Sequence, residues 1–322
     1  MEKVIFDKNL LLNPEILKEQ LVFPKDSKIA IKMHMGEENN KTCLRAEDVK
    51  PIVDVLLELG TKPFIIDTPV SYKGGRHTCE AYLKTAKDNG FSEETIGCPI
   101  VISNDYHEVR TEYMDFQVCK ELYETEYMIV LSHVKGHCCT GFGGAIKNLS
   151  MGGATIKSKR DMHSLGKPDI LKECSLCGIC EKNCPAKCIK IDDKLNINLD
   201  GCWGCGVCVV NCPEKILKPK TVLIDELLAE GAWASVQNKK KILCINMIKR
   251  ITKLCDCESD SGKIIAPDVG VLFSSDPVAI DQASIDLVGD AFLKENHKDP
   301  QLQIDYSEKL GFGGKDYELV KV

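Results

Sequence analysis

The chain has 322 residues, 43% of them apolar and 28% charged, the balance of an ordinary globular protein with room for roughly two domains. A formal net charge of −6 gives no electrostatic reason to expect nucleic acid or an anionic membrane as a partner. No stretch approaches the ~18 apolar residues that span a bilayer, and the N-terminus lacks an apolar leader, so the chain reads as cytoplasmic.

Residues 1–167 alternate β-prone runs with helical ones. "KIAIKMHM" (28–35) predicts a strand. "AEDVKPIVDVLLELG" (46–60) predicts a helix with Ile52, Val53, Leu56 and Leu57 on one face and Gly60 as its C-cap. "KPFIIDTP" (62–69), "CPIVISND" (98–105) and "EYMIVLSHV" (126–134) follow as further strands. Such alternation predicts an α/β domain with a largely parallel sheet, in which ligands gather beyond the carboxyl ends of the strands.

Two segments fall at those ends. "IKMHMGE" (31–37) carries Lys32 and His34, placed on one face by strand alternation. "LSHVKGHCCTGFGGAIKNLSMGG" (131–153) carries His133, Lys135, His137, Cys138 and Cys139, then Gly143 and Gly144, then Lys147 and Asn148 on an expected helix. His34, His133, Lys135, His137 and Lys147 are the catalytic candidates, histidines for protons and lysines for charge toward an anionic or carbonyl-bearing ligand. Lys32, Asn148, Gly143 and Gly144 are candidates for the ligand pocket, where loop N–H groups at a helix start favour an anion. A metal alternative uses His133, His137, Cys138 and Cys139, with Cys255 and Cys257 as helpers, against the strain of binding one ion through adjacent cysteines.

Nine of the 18 cysteines fall within 174–212, with no export signal to suggest disulfides, so reduced metal-binding thiolates are expected. Cys174, Cys177, Cys180, Cys184 and Pro185 recur 28 residues later as Cys202, Cys205, Cys208, Cys212 and Pro213. This is the C-x₂-C-x₂-C-x₃-C-P run of bacterial ferredoxins, in which the fourth cysteine serves the other cluster. The expected ligand sets are therefore Cys174, Cys177, Cys180 and Cys212 for one 4Fe–4S cluster, and Cys202, Cys205, Cys208 and Cys184 for the second. A zinc ribbon needs only four thiolates and gives no reason for eight. Cys188 reads as an extra thiol and Trp203 as a shield for a cluster. "CIKI" and "LNINLD" predict a small hairpin, so residues 168–220 read as a two-cluster ferredoxin domain of α+β type.

"VGVLFSSDPVAIDQASIDLVGDAFL" (269–293) returns to strand, turn and helix, with Asp276 as N-cap and Pro277 at the first helical position. Its turn is the expected third wall of the pocket. Residues 221–322 thus resume the α/β domain, which makes the ferredoxin block an insertion. The Gly-Phe-Gly-Gly core of "TGFGGAIKN" (140–148) returns in "LGFGGKDYE" (310–318), a loop type that lets backbone approach another group closely. No P-loop and no G-x-G-x-x-G after a strand is present, whereas a flavin, whose sites often carry no short signature, stays open.

The Lys-x-His pair, the "SHVKGH…GFGGAIKNLSMG" segment, "DPVAID" and the ferredoxin block together resemble the domain of unknown function 362 family of iron–sulfur proteins, over nearly the whole chain. The resemblance implies a ferredoxin module joined to an α/β domain and names no substrate. It marks Lys32, His34, His133, Lys135, His137, Lys147, Asn148 and Asp276 as positions of the family pattern. The expected activity is that of a reductase fed by an external electron-donor protein and acting on a small molecule or bound cofactor. The alternatives are an electron-transfer or maturation protein that only docks a redox partner, and clusters that merely staple a small insertion.

Overall fold

The β-prone runs enter one eight-stranded sheet; the computed structural model describes all residues, Met1–Val322. Its strands are β1 (Glu2–Asp7), β2 (Lys28–Lys32), β3 (Lys62–Asp67), β4 (Ile100–Ile102), β5 (Tyr127–His133), β6 (Lys241–Ile248), β7 (Gly270–Ser274) and β8 (Tyr317–Lys321). They lie in the order β8-β1-β7-β6-β5-β2-β3-β4. Neighbours from β6 to β4 are parallel, as are β1 and β8, and only β7 runs against its neighbours. This is a mixed α/β fold with a large, largely parallel central sheet.

Strand alternation divides the apolar residues between two cores, one on each face. Ala30, Val130 and Cys244 join a core of 34 buried residues under helices α2 (Ala145–Gly153), α4 (Ile224–Val236) and α5 (Pro277–Val288). Ile31, Ile129 and Ile245 join one of 28 under α1 (Ala46–Glu58). In α1, Ile52, Val53 and Leu56 are buried as expected, but Leu57 is 45% exposed; the buried stripe runs through Val49 instead. Gly60 follows with a left-handed φ of +75°, closing the helix.

β5 and β6 pair from Tyr127↔Lys241 to His133↔Met247 although residues 168–220 lie between them in the chain. Sequence on both sides of the cysteine-rich stretch therefore builds one sheet. The stretch is closed at its base by an antiparallel pair, Pro168–Ile170 with Leu217–Pro219, and holds the expected hairpin, Ile189–Ile191 with Leu195–Ile197. Its two halves repeat in backbone as well as in sequence. Positive φ occurs at Leu176 and Gly204, at Gly178 and Gly206, and at Lys187 and Lys215, each pair 28 residues apart. No helix is long and apolar enough to cross a membrane.

Candidate functional site

Beyond the carboxyl ends of β2, β3 and β5 lies a cavity of about 620 Å³. Of the expected pocket residues it is lined by Lys32, His34, His133, His137, Gly143, Gly144, Lys147 and Asn148. Lys32 is anchored by Asp67 at the end of β3 (2.8 Å) and by Asn148 Oδ1 on α2 (2.8 Å). Asn148 in turn donates to Leu131 O and Ser132 Oγ, at 2.9 and 3.0 Å, which ties α2 across two strand ends. His34 Nδ1 accepts from Gly36 N–H at 2.9 Å, so the neutral ring carries its proton on Nε2, which has no partner. Burial, reinforced by the Arg76 guanidinium, holds the His34 pKa well below the usual histidine range.

His133 and Lys135 are not free to act on a ligand. His133 Nδ1 meets Asp256 Oδ2 at 2.7 Å, and its Nε2 meets Lys249 O at 2.7 Å. Lys135 is wholly buried against Asp256 Oδ1 (2.6 Å) and Thr42 Oγ1 (2.7 Å), and it does not line the cavity. Burial alone would raise the Asp256 carboxyl, but His133 and Lys135 outweigh it and hold it far below the usual carboxylate range. The three side chains form a buried ionic strut behind the cavity wall.

The expected third wall at Asp276 is absent from the site. β7 is antiparallel to β6, with Ser274 opposite Cys244 and Gly270 opposite Ile248, so its carboxyl end faces the other edge of the sheet. Asp276 caps α5, accepting from Val278 N and Ala279 N at 2.7 and 3.0 Å, and also accepts from Gly314 N at 2.9 Å.

The start of α2 is likewise no open anion site. Its N–H groups at Ala145 and Ile146 donate to the buried Asp281 carboxylate at 2.7 and 2.9 Å. A Cβ on Gly144 would stand 2.2 Å from Asp281 Oδ1, and one on Gly313 2.2 Å from Asp276 Oδ1. Both Gly-Phe-Gly-Gly loops thus use their closing Gly-Gly pair to bring backbone against an aspartate of "DPVAID". The close approach is to an internal carboxylate.

Sequence reasoning passed over helix α3 (Ile156–Leu165), which closes the cavity with Lys159, Arg160 and His163. Lys159 Nζ donates to Thr68 Oγ1 at 2.7 Å, and burial pushes its pKa down to about 7. Lys32 is paired with Asp67 and Arg76 with Glu37, whereas Lys147, Lys159 and Arg160 have no carboxylate within 4.0 Å. These unpaired basic groups favour an anionic occupant, which stabilises their protonated forms.

Cys202 and Trp203 also line this cavity. Trp203 O accepts from His163 Nδ1 at 2.7 Å, and a Cβ on Gly204 would stand 1.8 Å from His163 O, so only glycine lets the second cysteine block seat on α3. Beneath it, the buried Lys298–Asp225 pair (2.6 Å) directs Lys298 Nζ to Cys205 O at 2.6 Å. Cys174, Cys177, Cys180 and Cys212 surround a separate small void. Cys184 lies beside Cys188 (Sγ–Sγ 3.5 Å), which also contacts Cys202. On the cavity floor, His137, Cys138 and Cys139 bring their donor atoms within 4.8 Å of one another, as do His137, Cys255 and Cys257, so these groups could hold a metal.

No curated protein matches the chain in sequence. Among solved structures, a crystal structure of a Thermotoga maritima protein is similar at 12% identity and a TM-score of 0.46, over 94% of this chain and 60% of that one. The lactate racemase apoprotein from Thermoanaerobacterium thermosaccharolyticum is similar at 12% identity and a TM-score of 0.37, over 77% of this chain and 51% of that one. The chain thus spans between half and two thirds of the length of either. The model of DUF362, a domain of unknown function, matches residues 29–286, and the chain therefore belongs to that family.

Proposed function

We propose that the protein is an iron–sulfur oxidoreductase that takes electrons from an external redox protein and delivers them to an anionic small molecule or bound cofactor in the cavity. In this proposal residues 168–220 are a two-cluster ferredoxin domain inserted between 1–167 and 221–322. When bound, the two 4Fe–4S clusters supply one-electron storage and transfer.

The donor set fits them. Four thiols around one void are the ligand complement of a single cubane, and here they are the crossed set of Cys174, Cys177, Cys180 and Cys212. Leu176 N–H donates to Cys174 Sγ at 3.3 Å, and Gly204 N–H donates to Cys202 Sγ at 3.4 Å. Such N–H···S bonds stabilise thiolate charge, and in both loops the donor is the residue with positive φ, Leu176 and Gly204.

The observation that carries the proposal is that Cys202 and Trp203 share the cavity wall with His34 and Lys147. The first block is turned outward, with Cys177 exposed and Leu176 and Ile179 exposed beside it, a surface on which a donor protein can dock. In the cavity, Lys147, Lys159 and Arg160 hold the negative charge that accumulates as an acceptor is reduced. His34 presents its Nε2–H to the reacting atom, and Lys159 holds at Nζ a proton releasable near neutral pH.

Protein reduced under anaerobic conditions tests this by its reoxidation. Small-molecule acceptors are expected to reoxidise wild type, and His34→Gln is expected to slow this roughly 100-fold with the paramagnetic signals of both clusters unchanged. Reoxidation by a protein acceptor alone, at a rate His34→Gln leaves untouched, would assign the chain to electron carriage instead.

Anion binding should also move a proton. At pH 8, Lys159 with its pKa near 7 is mostly neutral, and an anion bound beside it raises that pKa, so binding takes up a proton. Calorimetric titration with sulfate, which does not titrate at this pH, should show up to about one proton taken up per site when buffers of different ionisation enthalpy are compared. The uptake should vanish in Lys159→Met.

A further inference from the structure

The five donors on the cavity floor lie outside the eight cysteines assigned to the clusters. We propose that His137, Cys138 and Cys139, completed by a thiolate of Cys255 or Cys257, form a third metal centre, a four-coordinate site for one thiophilic first-row ion, zinc or iron. His137 belongs to both donor triples, each with its ligand atoms within 4.8 Å of one another, so its imidazole adjoins the Cys138/Cys139 pair on one side and the Cys255/Cys257 pair on the other. Soft thiolates with one imidazole select zinc or iron over hard cations.

The local geometry is that of a prepared site. Cys138 and Cys139 place their sulfurs 3.8 Å apart. That is close to the edge of a tetrahedron with metal–sulfur bonds of about 2.3 Å, so this backbone relieves the strain expected of adjacent cysteine ligands. Thr140 Oγ1 lies 3.1 Å from His137 Nδ1 and donates its own proton to Phe142 O at 2.7 Å, so it can accept from an Nδ1–H; that tautomer frees Nε2 for a metal, in exchange for the Cys139 N–H that Nδ1 accepts at 3.2 Å. Orientation of a ligand imidazole through its other nitrogen is the usual support of a metal site. Cys257 N–H donates to Cys255 Sγ at 3.4 Å, the contact that both cysteine blocks make at their first cysteine. Lys147 Nζ lies 4.0 Å from Cys255 Sγ and offsets thiolate charge.

His133, the other imidazole of the segment, is excluded because Asp256 and Lys249 O occupy both of its nitrogens. Cys139 packs against Cys205 of the second block, so the centre lies between that block and the cations of the cavity. The structure records Cys255 and Cys257 as a disulfide; the proposal requires the dithiol.

The test is metal analysis of the full chain, prepared without oxygen, with the X-ray absorption edge of the bound metal recorded. Wild type is expected to carry one zinc or iron beyond the cluster iron. The Cys255→Ser/Cys257→Ser double variant and His137→Ala are each expected to lose that one equivalent while the paramagnetic signals of the reduced clusters persist. Those signals also report that the variants are folded. A zinc edge with sulfur and nitrogen neighbours identifies zinc, and its absence with one surplus iron identifies iron. Unchanged metal content in both variants, or a Cys255–Cys257 disulfide found by mass spectrometry in the anaerobic protein, would overturn the proposal without touching the cluster assignment.

Discussion

Cys212→Ala is expected to abolish the cluster of the first cysteine block, although Cys212 belongs to the second. Iron should fall from about eight to about four per chain once any iron in the third centre is subtracted. The surviving paramagnetic signal should match that of Cys177→Ala and differ from that of Cys205→Ala. The reason is spatial: Cys212 shares one void with Cys174, Cys177 and Cys180. If each block bound its own cluster, Cys212→Ala would instead resemble Cys205→Ala. The reciprocal substitution is less clean. Cys188 lies 3.5 Å from Cys184 Sγ and also touches Cys202, so it can stand in as the fourth thiolate. Cys184→Ala should therefore keep most of its iron, and Cys184→Ala/Cys188→Ala should lose about half. Because the first block faces outward, Cys212→Ala should also lose reduction by an external protein while the cavity keeps its anion binding.

The repeat was legible in the sequence because ligand spacing is local: the displacement of 28 residues sets both the cysteines and the left-handed backbone positions between them. The parallel part of the sheet was equally legible, since β2, β3 and β5 are apolar runs separated by helices. What local pattern does not encode is strand direction. "VGVLFSSDP" has the same strand–turn–helix grammar as the site-forming strands, but β7 is antiparallel, and Asp276 stands at the far edge. Long-range pairing is equally hidden. Asp256 sits in "CDCESD", where only Cys255 and Cys257 stand out as metal helpers, and nothing local shows that it meets a histidine 123 residues earlier. His133 and Lys135 were therefore expected as free groups. In "TIKSKRDMHSL" no local pattern singles out Lys159, Arg160 or His163, and only the seat of this helix against Thr68 and Trp203 turns those residues toward the cavity.

Asp281→Ala should be the most destabilising single change outside the cysteine blocks. The carboxylate, wholly buried, accepts from Ala145 N, Ile146 N and Asn246 Nδ2 at 2.7, 2.9 and 2.8 Å. Alanine leaves the Ala145 and Ile146 N–H groups without an acceptor, strips Asn246 Nδ2 of one of its two acceptors and uncaps α2, at a cost of roughly 3–5 kcal/mol. For a chain of this size that lowers Tm by on the order of 10 °C, measurable by thermal denaturation. Asp276→Ala is the internal control. It removes a helix cap and one loop contact at a less enclosed carboxylate and should cost roughly 1–2 kcal/mol. Burial raises the Asp281 pKa from 3.8 to about 6 against the pull of its N–H donors. Between those values the folded chain holds a proton that the unfolded chain has released, so this contribution to stability falls as pH rises from 3.8 to about 6 and is level above it. The gap between wild type and Asp281→Ala should narrow over the same interval. Because α2 carries Lys147 and Asn148, the variant should also weaken sulfate binding in the cavity at temperatures where it is still folded, whereas Asp276→Ala, at the opposite edge of the sheet, should leave that binding unchanged.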